Sequence, residues 1–404
     1  MKSKRDIIRE RQWSNRAPMA GIPKVVLLVE SSRASGRAIL KGVADFARYH
    51  GPWSFFWEPA GMEKATPMLK SLDADGIILR DTDKLSEVRA FGIPAVVFGY
   101  SREEIPGLIN VVTDSATIGG MAAEHLLQCG FKRFACCSYR RTPWAEQRVK
   151  SFAERIRAAG FELHEYTAPT PARVNWPKER RAMVKWLEAL PKPVGLMACN
   201  DDCGVQVMEA CKMAGLPVPD AVGVVGADND ELVCGLADPA MSSVAVNFER
   251  AGYELAQALD RLMKRKRRVP SKIIVQATHI VPRRSTDVVA VEDAPVARAL
   301  RFIRDHTRGP VTVDEVARTV GLSRRVLERR FRRELNSSIL KEIRRVRTDQ
   351  IARLLLETPL SVGDIAESLG FSDVQHFARY FRAGKQSSPL AYRRRLGALP
   401  AGNR

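Results

Sequence analysis

Acidic residues are the minority charge in this chain of 404 residues: 46 Asp and Glu stand against 65 Lys and Arg, a net +19. That imbalance favours a polyanionic partner. Histidine is scarce, at six residues, and no companion His gives metal-ligand spacing to Cys136-Cys137 or to Cys199 with Cys203, among the seven cysteines. Cys136-Cys137 and Cys199 with Cys203 therefore read as buried reduced thiols of a cytosolic protein, and no metal site is expected. There is no P-loop, dinucleotide fingerprint or serine elbow, so the chain reads as a non-enzyme with no catalytic residues and no cofactor. Residues 1–21 lack a long apolar run and hold six Lys and Arg with two acids. They fit neither a signal peptide nor a membrane span, and read as a flexible basic extension.

What the chain does have is a repeat near its C-terminus. Thr312-Val313-Asp314-Glu315-Val316-Ala317 with Val320-Gly321-Leu322-Ser323 returns as Ser361-Val362-Gly363-Asp364-Ile365-Ala366 with Leu369-Gly370-Phe371-Ser372, an offset of 49 residues. Each copy starts with a hydroxyl N-cap, continues as a short amphipathic helix and reaches a glycine at the turn. Ala317 and Ala366 sit four residues before that glycine, small enough to let the next helix cross close by. The glycine itself tolerates positive φ in a tight turn. Ser323 and Ser372 are expected to cap the following helices, over Arg324–Phe331 and Asp373–Phe381. Those helices have the place of major-groove readers.

Between the copies, Ile339, Leu340, Ile343, Val346, Ile351, Leu354 and Leu355 recur at helical spacing,. A helix over Ile339 to Leu356 would be roughly 27 Å long, comparable with the ~34 Å between successive major-groove faces. Residues 295–404 carry 23 Lys and Arg against 11 Asp and Glu, a balance of +12 that leaves +7 for the rest. Arg329, Arg330, Arg332 and Arg333 alone would read as a solvated helix face. Within two helix-turn-helix copies they read as contacts to DNA.

On these residues the C-terminal stretch resembles the DNA-binding domain of the AraC/XylS family, over roughly residues 295–396. Ile365-Ala366, Gly370-Phe371, Phe377, Phe381, Ser388-Pro389 and Tyr392-Arg393 carry the likeness. Lys385-Gln386-Ser387 departs from it, where that family usually has a glycine. The resemblance implies base or phosphate contacts by Arg324, Arg325, Glu328 and Arg329 in the first copy. In the second it implies Asp373, Gln375, His376 and Arg379. Arginine can fork onto guanine, glutamine onto adenine, and glutamate can accept from cytosine. Val326, Leu327, Phe331, Phe377 and Phe381 are expected to pack inward.

Residues 22–285 alternate strands with helix-length segments, the pattern of parallel α/β sheets. Strands are expected at Lys24–Val29, Gly76–Leu79, Pro94–Phe98 and Ile109–Val112, with a helix over Gly36–Tyr49. After a long helix over Thr117–Cys129 the alternation restarts, with strands at Phe134–Cys137, Val194–Cys199 and Val222–Val225, as a second lobe would require. Ligands of such sheets bind beyond the carboxyl ends of the strands, and two facing lobes would enclose a cleft there. Polar residues gather at those ends: Glu30, Arg37, Asp81, Asp114, Trp144, Arg148, Asn200, Asp201, Asp228 and, further on, Asn247. Carboxylates, amides and an arginine with one indole face suit a small polyol. For any single one of them, capping a helix or making a turn is an equal reading.

This region resembles the LacI/GalR type of periplasmic-binding-protein-like effector domain. Val112-Thr113-Asp114, the Trp144–Phe152 stretch, Cys199-Asn200-Asp201, Val225-Gly226-Ala227-Asp228-Asn229 and Ser242-Ser243-Val244 carry the likeness. Residues 1–21 are too short for the N-terminal helix-turn-helix of ordinary LacI-type repressors. An effector domain followed by an AraC-type domain, with Arg283-Arg284-Ser285-Thr286-Asp287 at the junction, is the order of the bacterial xylose operon regulators. The resemblance implies a sugar effector domain over 22–285, a linker over 286–295, a double helix-turn-helix domain over 296–396 and a tail over 397–404. It further implies a cytoplasmic activator of pentose genes that binds D-xylose, works as a homodimer on paired DNA sites and touches RNA polymerase, with no membrane contact. Val246 stands where relatives often carry Gln, with Asn247 beside it, and Glu30 replaces a more usual Asn, so another monosaccharide is the alternative effector. A transporter's sugar-binding protein would need an export signal and has no use for the basic repeat. A sugar-processing enzyme using Asp201 and Asp228 would turn its sugar over. The expected mechanism is closure of the lobes by sugar, which moves or frees the C-terminal domains.

Overall fold

The computed structural model describes residues 21–60, 72–81, 88, 90, 92–99, 105–169, 176–266, 268–306 and 309–397; the stretches read as a basic extension, 1–21, and as a tail, 397–404, lie outside them but for Gly21 and Gly397. The chain forms two units. One takes residues up to 115, 141–147 and 246–277, the other 116–140, 148–245 and 278 onward.

The first unit is built on strands β1 (Lys24–Leu28), β2 (Ser54–Trp57), β3 (Gly76–Arg80), β4 (Ala95–Phe98), β5 (Ile109–Thr113) and β11 (Lys272–Val275), in the order β11-β5-β4-β3-β1-β2. Every neighbouring pair runs parallel. The central strands are buried except at Lys24 and Arg80 at their ends, as sheets covered on both faces demand,. Helices α1 (Ala34–His50) and α7 (Phe248–Met263) share one core with the sheet, through Val25, Ile39, Phe46, Leu255 and Leu259.

In the second unit, β6 (Phe134–Tyr139), β7 (Leu163–Ala168), β8 (Val194–Ala198), β9 (Val222–Asp228), β10 (Ser242–Val246) and β12 (Ala277–Val281) are ordered β12-β10-β9-β8-β6-β7. The run from β7 to β10 is parallel. Helix α2 (Ser115–Gln128) leads into β6, and α3 (Pro143–Ala158), α4 (Trp176–Ala189), α5 (Asp201–Met213) and the short α6 (Glu231–Leu236) follow β6, β7, β8 and β9. All seven cysteines are buried free thiols.

The same unit continues into seven helices: α8 (Ala294–Asp305), α9 (Val313–Thr319), α10 (Arg324–Leu335), α11 (Ile339–Glu357), α12 (Val362–Ser368), α13 (Val374–Lys385) and α14 (Pro389–Leu396). α9 and α12 both start with a reciprocal capping box, Thr312 with Glu315 and Ser361 with Asp364. Such a cap contributes about 1 kcal/mol. Gly321 and Gly370 take φ of +73° and +70° at the two turns, the left-handed conformation that a side chain would strain,.

α11 holds the two copies together. Its Ile339 and Ile343 enter the first core, with Val316, Leu327 and Phe331, while Ile351, Ala352 and Leu355 enter the second, with Ile365, Phe377 and Phe381. The repeat reaches further upstream than its motif. Arg298 on α8 donates to the carbonyl of Val320, and Arg347 on α11, again 49 residues on, donates to that of Leu369. Each arginine ties down a carbonyl at the C-terminal end of a helix,.

Two expectations change. Ser372 does not cap the second reading helix: Asp373 does, accepting from the His376 amide at 2.7 Å, because this copy holds one more residue before its helix. Ser323 occupies the cap position of the first, but its hydroxyl makes no capping bond. The segment read as a linker over 286–295 is packed rather than loose. Val289 and Val291 belong to the core of the first copy, and Asp293 caps α8. In place of the family's glycine, Gln386 adopts φ +53° to end α13, as Asn336 does at +48° after α10.

Candidate functional sites

The faces of α10 and α13 are divided by helical periodicity. Leu327, Phe331, Phe377 and Phe381 are fully buried and Val326 is half-buried, as their spacing predicts. Arg324, Arg325 and Arg329 on α10 are exposed and Glu328 is half-buried; Gln375, His376 and Arg379 on α13 are exposed, with Asp373 at its cap. Arg324 is steadied by Glu328 at 3.2 Å and by Asp314 at 3.6 Å. The carboxyl of Asp373 is held below the usual range by the amides of the helix start, His376 foremost. That role makes it part of the helix end rather than a free acceptor for a base edge. Arg330 and Arg333 turn to Asp293, at 3.3 and 2.9 Å, so those two cations brace α8 against α10. A row of exposed donors on each of two helices in register is what base edges and phosphates need.

At the strand ends of the second unit, β9 closes with Asp228, whose φ of +98° turns the chain sharply, and Asn229 follows at +51°. Arg148, on α3, is fully buried. Its Nη2 donates to Asp228 Oδ1 at 2.8 Å and its Nη1 to the Cys199 carbonyl at 2.6 Å. The Asp228 side chain is 19% exposed, so it couples a buried cation to solvent. A second guanidinium joins from the other side of the loop: Arg283 donates to Asn229 Oδ1 at 2.8 Å and to the Met241 carbonyl at 2.9 Å. Ser243, the second residue of β10, donates to Asp201 and accepts from the Asn229 amide at 3.0 Å.

Sequence reasoning placed Arg148, Asn200, Asp201 and Asp228 here, and the structure gathers them around the ends of β8 and β9. Two of them already have structural tasks. Asn200 caps α5, accepting from the Cys203 amide at 3.0 Å. Asp201 is buried and accepts from Ser243 at 2.6 Å and from the Asp230 amide at 2.7 Å. Burial, with the neighbouring Asp228 charge second, pushes its carboxyl up to about 8. Arg283 and Ser243 were not singled out as site residues, although both stand in runs that carry the family likeness. What joins them to Asn229 is tertiary, not a spacing.

In the first unit the anticipated residues also sit at strand ends. Glu30, after β1, pairs with Arg80 at 3.0 Å. Arg37 donates to the Ser31 carbonyl at 2.7 Å and the Ser32 carbonyl at 3.1 Å, shaping the loop before α1. Asp81 follows β3; Asp114 follows β5, its amide bonded to Val275. Trp144 is half-buried in the first turn of α3, and Asn247 caps α7 through the Arg250 amide at 3.1 Å. Among the described residues no cluster of His, Cys, Asp and Glu could hold a metal ion, and no helix is long and apolar enough to cross a membrane.

Comparison with known proteins bears on both domains. Residues 123–286 match the model of the periplasmic binding protein-like domain, and residues 316–395 match a helix-turn-helix domain. The xylose operon regulatory protein of Escherichia coli (strain K12) is 28% identical over 92% of this chain and 96% of its own length. The Haemophilus influenzae protein of that name is 26% identical over 92% and 98%. Among solved structures, that of a xylose-binding transcription activator covers 93% of this chain and 98% of its own, at 27% identity and a TM-score of 0.58. The transcriptional regulator CelR bound to cellobiose, at 21% identity and a TM-score of 0.54 over 68% of this chain, shares the fold. The chain is a transcription regulator that joins a periplasmic-binding-protein-like domain to a helix-turn-helix domain, homologous along nearly its whole length to the xylose operon regulatory proteins.

Proposed function

We propose that the effector of this regulator is a monosaccharide, D-xylose in the first place, and that the strand-end cluster around Asp228 recognises it. One observation carries the reading: a carboxylate at the carboxyl end of a parallel strand, oriented by a fully buried arginine and only partly exposed itself. Such a carboxylate accepts from adjacent sugar hydroxyls, and charge-assisted hydrogen bonds are the strong ones. Asn200 and the Asn229–Arg283 pair add polar groups along the same edge. Likeness to xylose regulators favours the pentose. A different monosaccharide is the second reading, favoured by Val246, a side chain that cannot hydrogen-bond where relatives often carry glutamine.

The bound sugar alters the hold of α10 and α13 on DNA, in a homodimer placed on paired sites, and activation runs through contact with RNA polymerase. The protein works in the cytoplasm and turns nothing over. A thermal-shift screen of pentoses and hexoses tests the effector: D-xylose should raise the transition most, and Asp228→Asn should cancel that rise. A larger shift with another sugar reassigns the effector. No shift with any sugar, or consumption of the sugar, overturns the reading.

A further inference from the structure

Arg345, in the middle of α11, makes contacts in two directions. Its Nη1 donates to the side-chain oxygen of Gln128 at 2.7 Å and to Asp349 Oδ2 at 3.0 Å, while Nε holds Glu342 at 2.9 Å. Asp349 in turn accepts from Lys385 Nζ at 2.6 Å, and Lys385 is the last residue of α13. One guanidinium is thus shared between the end of α2 and the carboxylate that holds the second reading helix. Arg304 reinforces the joint, donating to the Gln128 carbonyl at 3.1 Å, and the Ala290 amide donates to the Cys129 carbonyl at 2.8 Å.

The other end of this chain of contacts is the effector cluster. α3, which carries Arg148, lies hard against α2. At Gly119 an added Cβ would stand 2.1 Å from the Arg148 carbonyl oxygen, so the two backbones touch with nothing between them. Ser151 donates to the Ala116 carbonyl at 2.6 Å, and Arg155 pairs with Glu124 at 2.6 Å. Glu124 also accepts from the Gln128 amide at 3.1 Å. Close-packed, bonded elements of this kind shift together rather than deform.

We infer that Arg345 is a positioning residue for DNA reading, through which α2 passes the state of the Arg148–Asp228 cluster to α13. This rests on the sugar-responsive reading above. A shift of α2 redistributes Arg345 between Gln128 and Asp349, and with it the hold of Asp349 on Lys385. Adjacency alone does not demonstrate coupling, so the test measures coupling itself.

The experiment uses the full chain, a duplex selected from random sequence, and D-xylose or the best sugar of the screen. The quantity read is the ratio of DNA affinities with and without sugar. In Gln128→Leu that ratio should fall from the roughly 5-fold or more of an allosteric pair to about 1, while sugar still raises the melting transition and DNA still binds. Gln128→Glu keeps the acceptor for Arg345 and gives up only the bond to Glu124, so a retained wild-type ratio places the coupling on the Arg345 contact and shows that the site tolerates substitution. Adding Asp349→Asn to Gln128→Leu should change the ratio no further, because both cut one path. A wild-type ratio in Gln128→Leu, or additive effects in the double variant, overturns the inference and leaves the effector reading standing. A wild-type protein that binds sugar with no change in DNA affinity overturns the regulatory reading, and this inference with it.

Discussion

Replacing Asp228 by asparagine is the sharpest perturbation of the effector cluster, because it changes charge with almost no change of shape. The residue sits at φ +98°, and asparagine is among the few side chains that enter the left-handed region readily. The amide can still accept one bond from Arg148, but the fully buried guanidinium loses its counter-charge. Breaking a buried pair costs about 3–5 kcal/mol. The retained neutral bond and the partial exposure of Asp228 bring the expected loss to roughly 2–3 kcal/mol, or about 5–10 °C in the melting transition of a unit this size. Sugar affinity should fall further than stability alone explains. A lost charged acceptor of about 1.5–3 kcal/mol weakens binding roughly 10- to 150-fold. Calorimetry gives both numbers. Combining Asp228→Asn with Arg148→Met should recover part of the stability, since no buried cation then remains, and none of the affinity. A variant that melts and titrates like wild type would refute the reasoning.

Three further outcomes are expected. Arg325→Ala and Gln375→Ala should each cost about 1–3 kcal/mol at the selected DNA site and relax the preference at one base position, the arginine variant also flattening the salt dependence, as read by anisotropy titrations. Because the Asp201 carboxyl is raised to about 8 in the folded chain, the fold binds its proton more tightly than the unfolded chain does. Its stability contribution is present in full below pH ~4 and is lost as pH rises towards 8. The stability difference between wild type and Asp201→Asn should follow that slope in denaturant melts at pH 5 and 8. His125 behaves in the opposite sense. Burial and the charges of Arg304 and Arg345 lower it to about 3, so its neutral form, bonded to Thr286 at 2.8 Å, loses about 2 kcal/mol of stability between pH 7 and 5 as unfolded histidine takes up a proton. His125→Gln should flatten that loss.

Much of this was legible in the sequence where one local pattern decides the outcome. Buried parallel strands such as Gly76–Leu79 are continuous apolar runs, and the duplicated capping boxes with their glycines announce themselves at a fixed spacing. The edge strands Ser54–Trp57 and Leu163–Ala168 were missed, since they are only half covered and alternate in burial. The cap of α13 was placed one residue early, because Ser372 and Asp373 are both good caps and only backbone geometry chooses between them. Arg283 reaches Asn229 across 54 residues, and Arg345 reaches Gln128 across 217. Pairings of that range leave no local signature. For the same reason the packing of Val289 and Val291 was hidden in a stretch that reads as a linker.

The most direct test of a single chain that senses sugar and reads DNA is one titration: the affinity of the full protein for its selected duplex, with and without D-xylose. Wild type should change by roughly 5-fold or more, and Asp228→Asn should not respond. Equal affinities across the whole sugar panel, from a protein that binds the duplex, would contradict it.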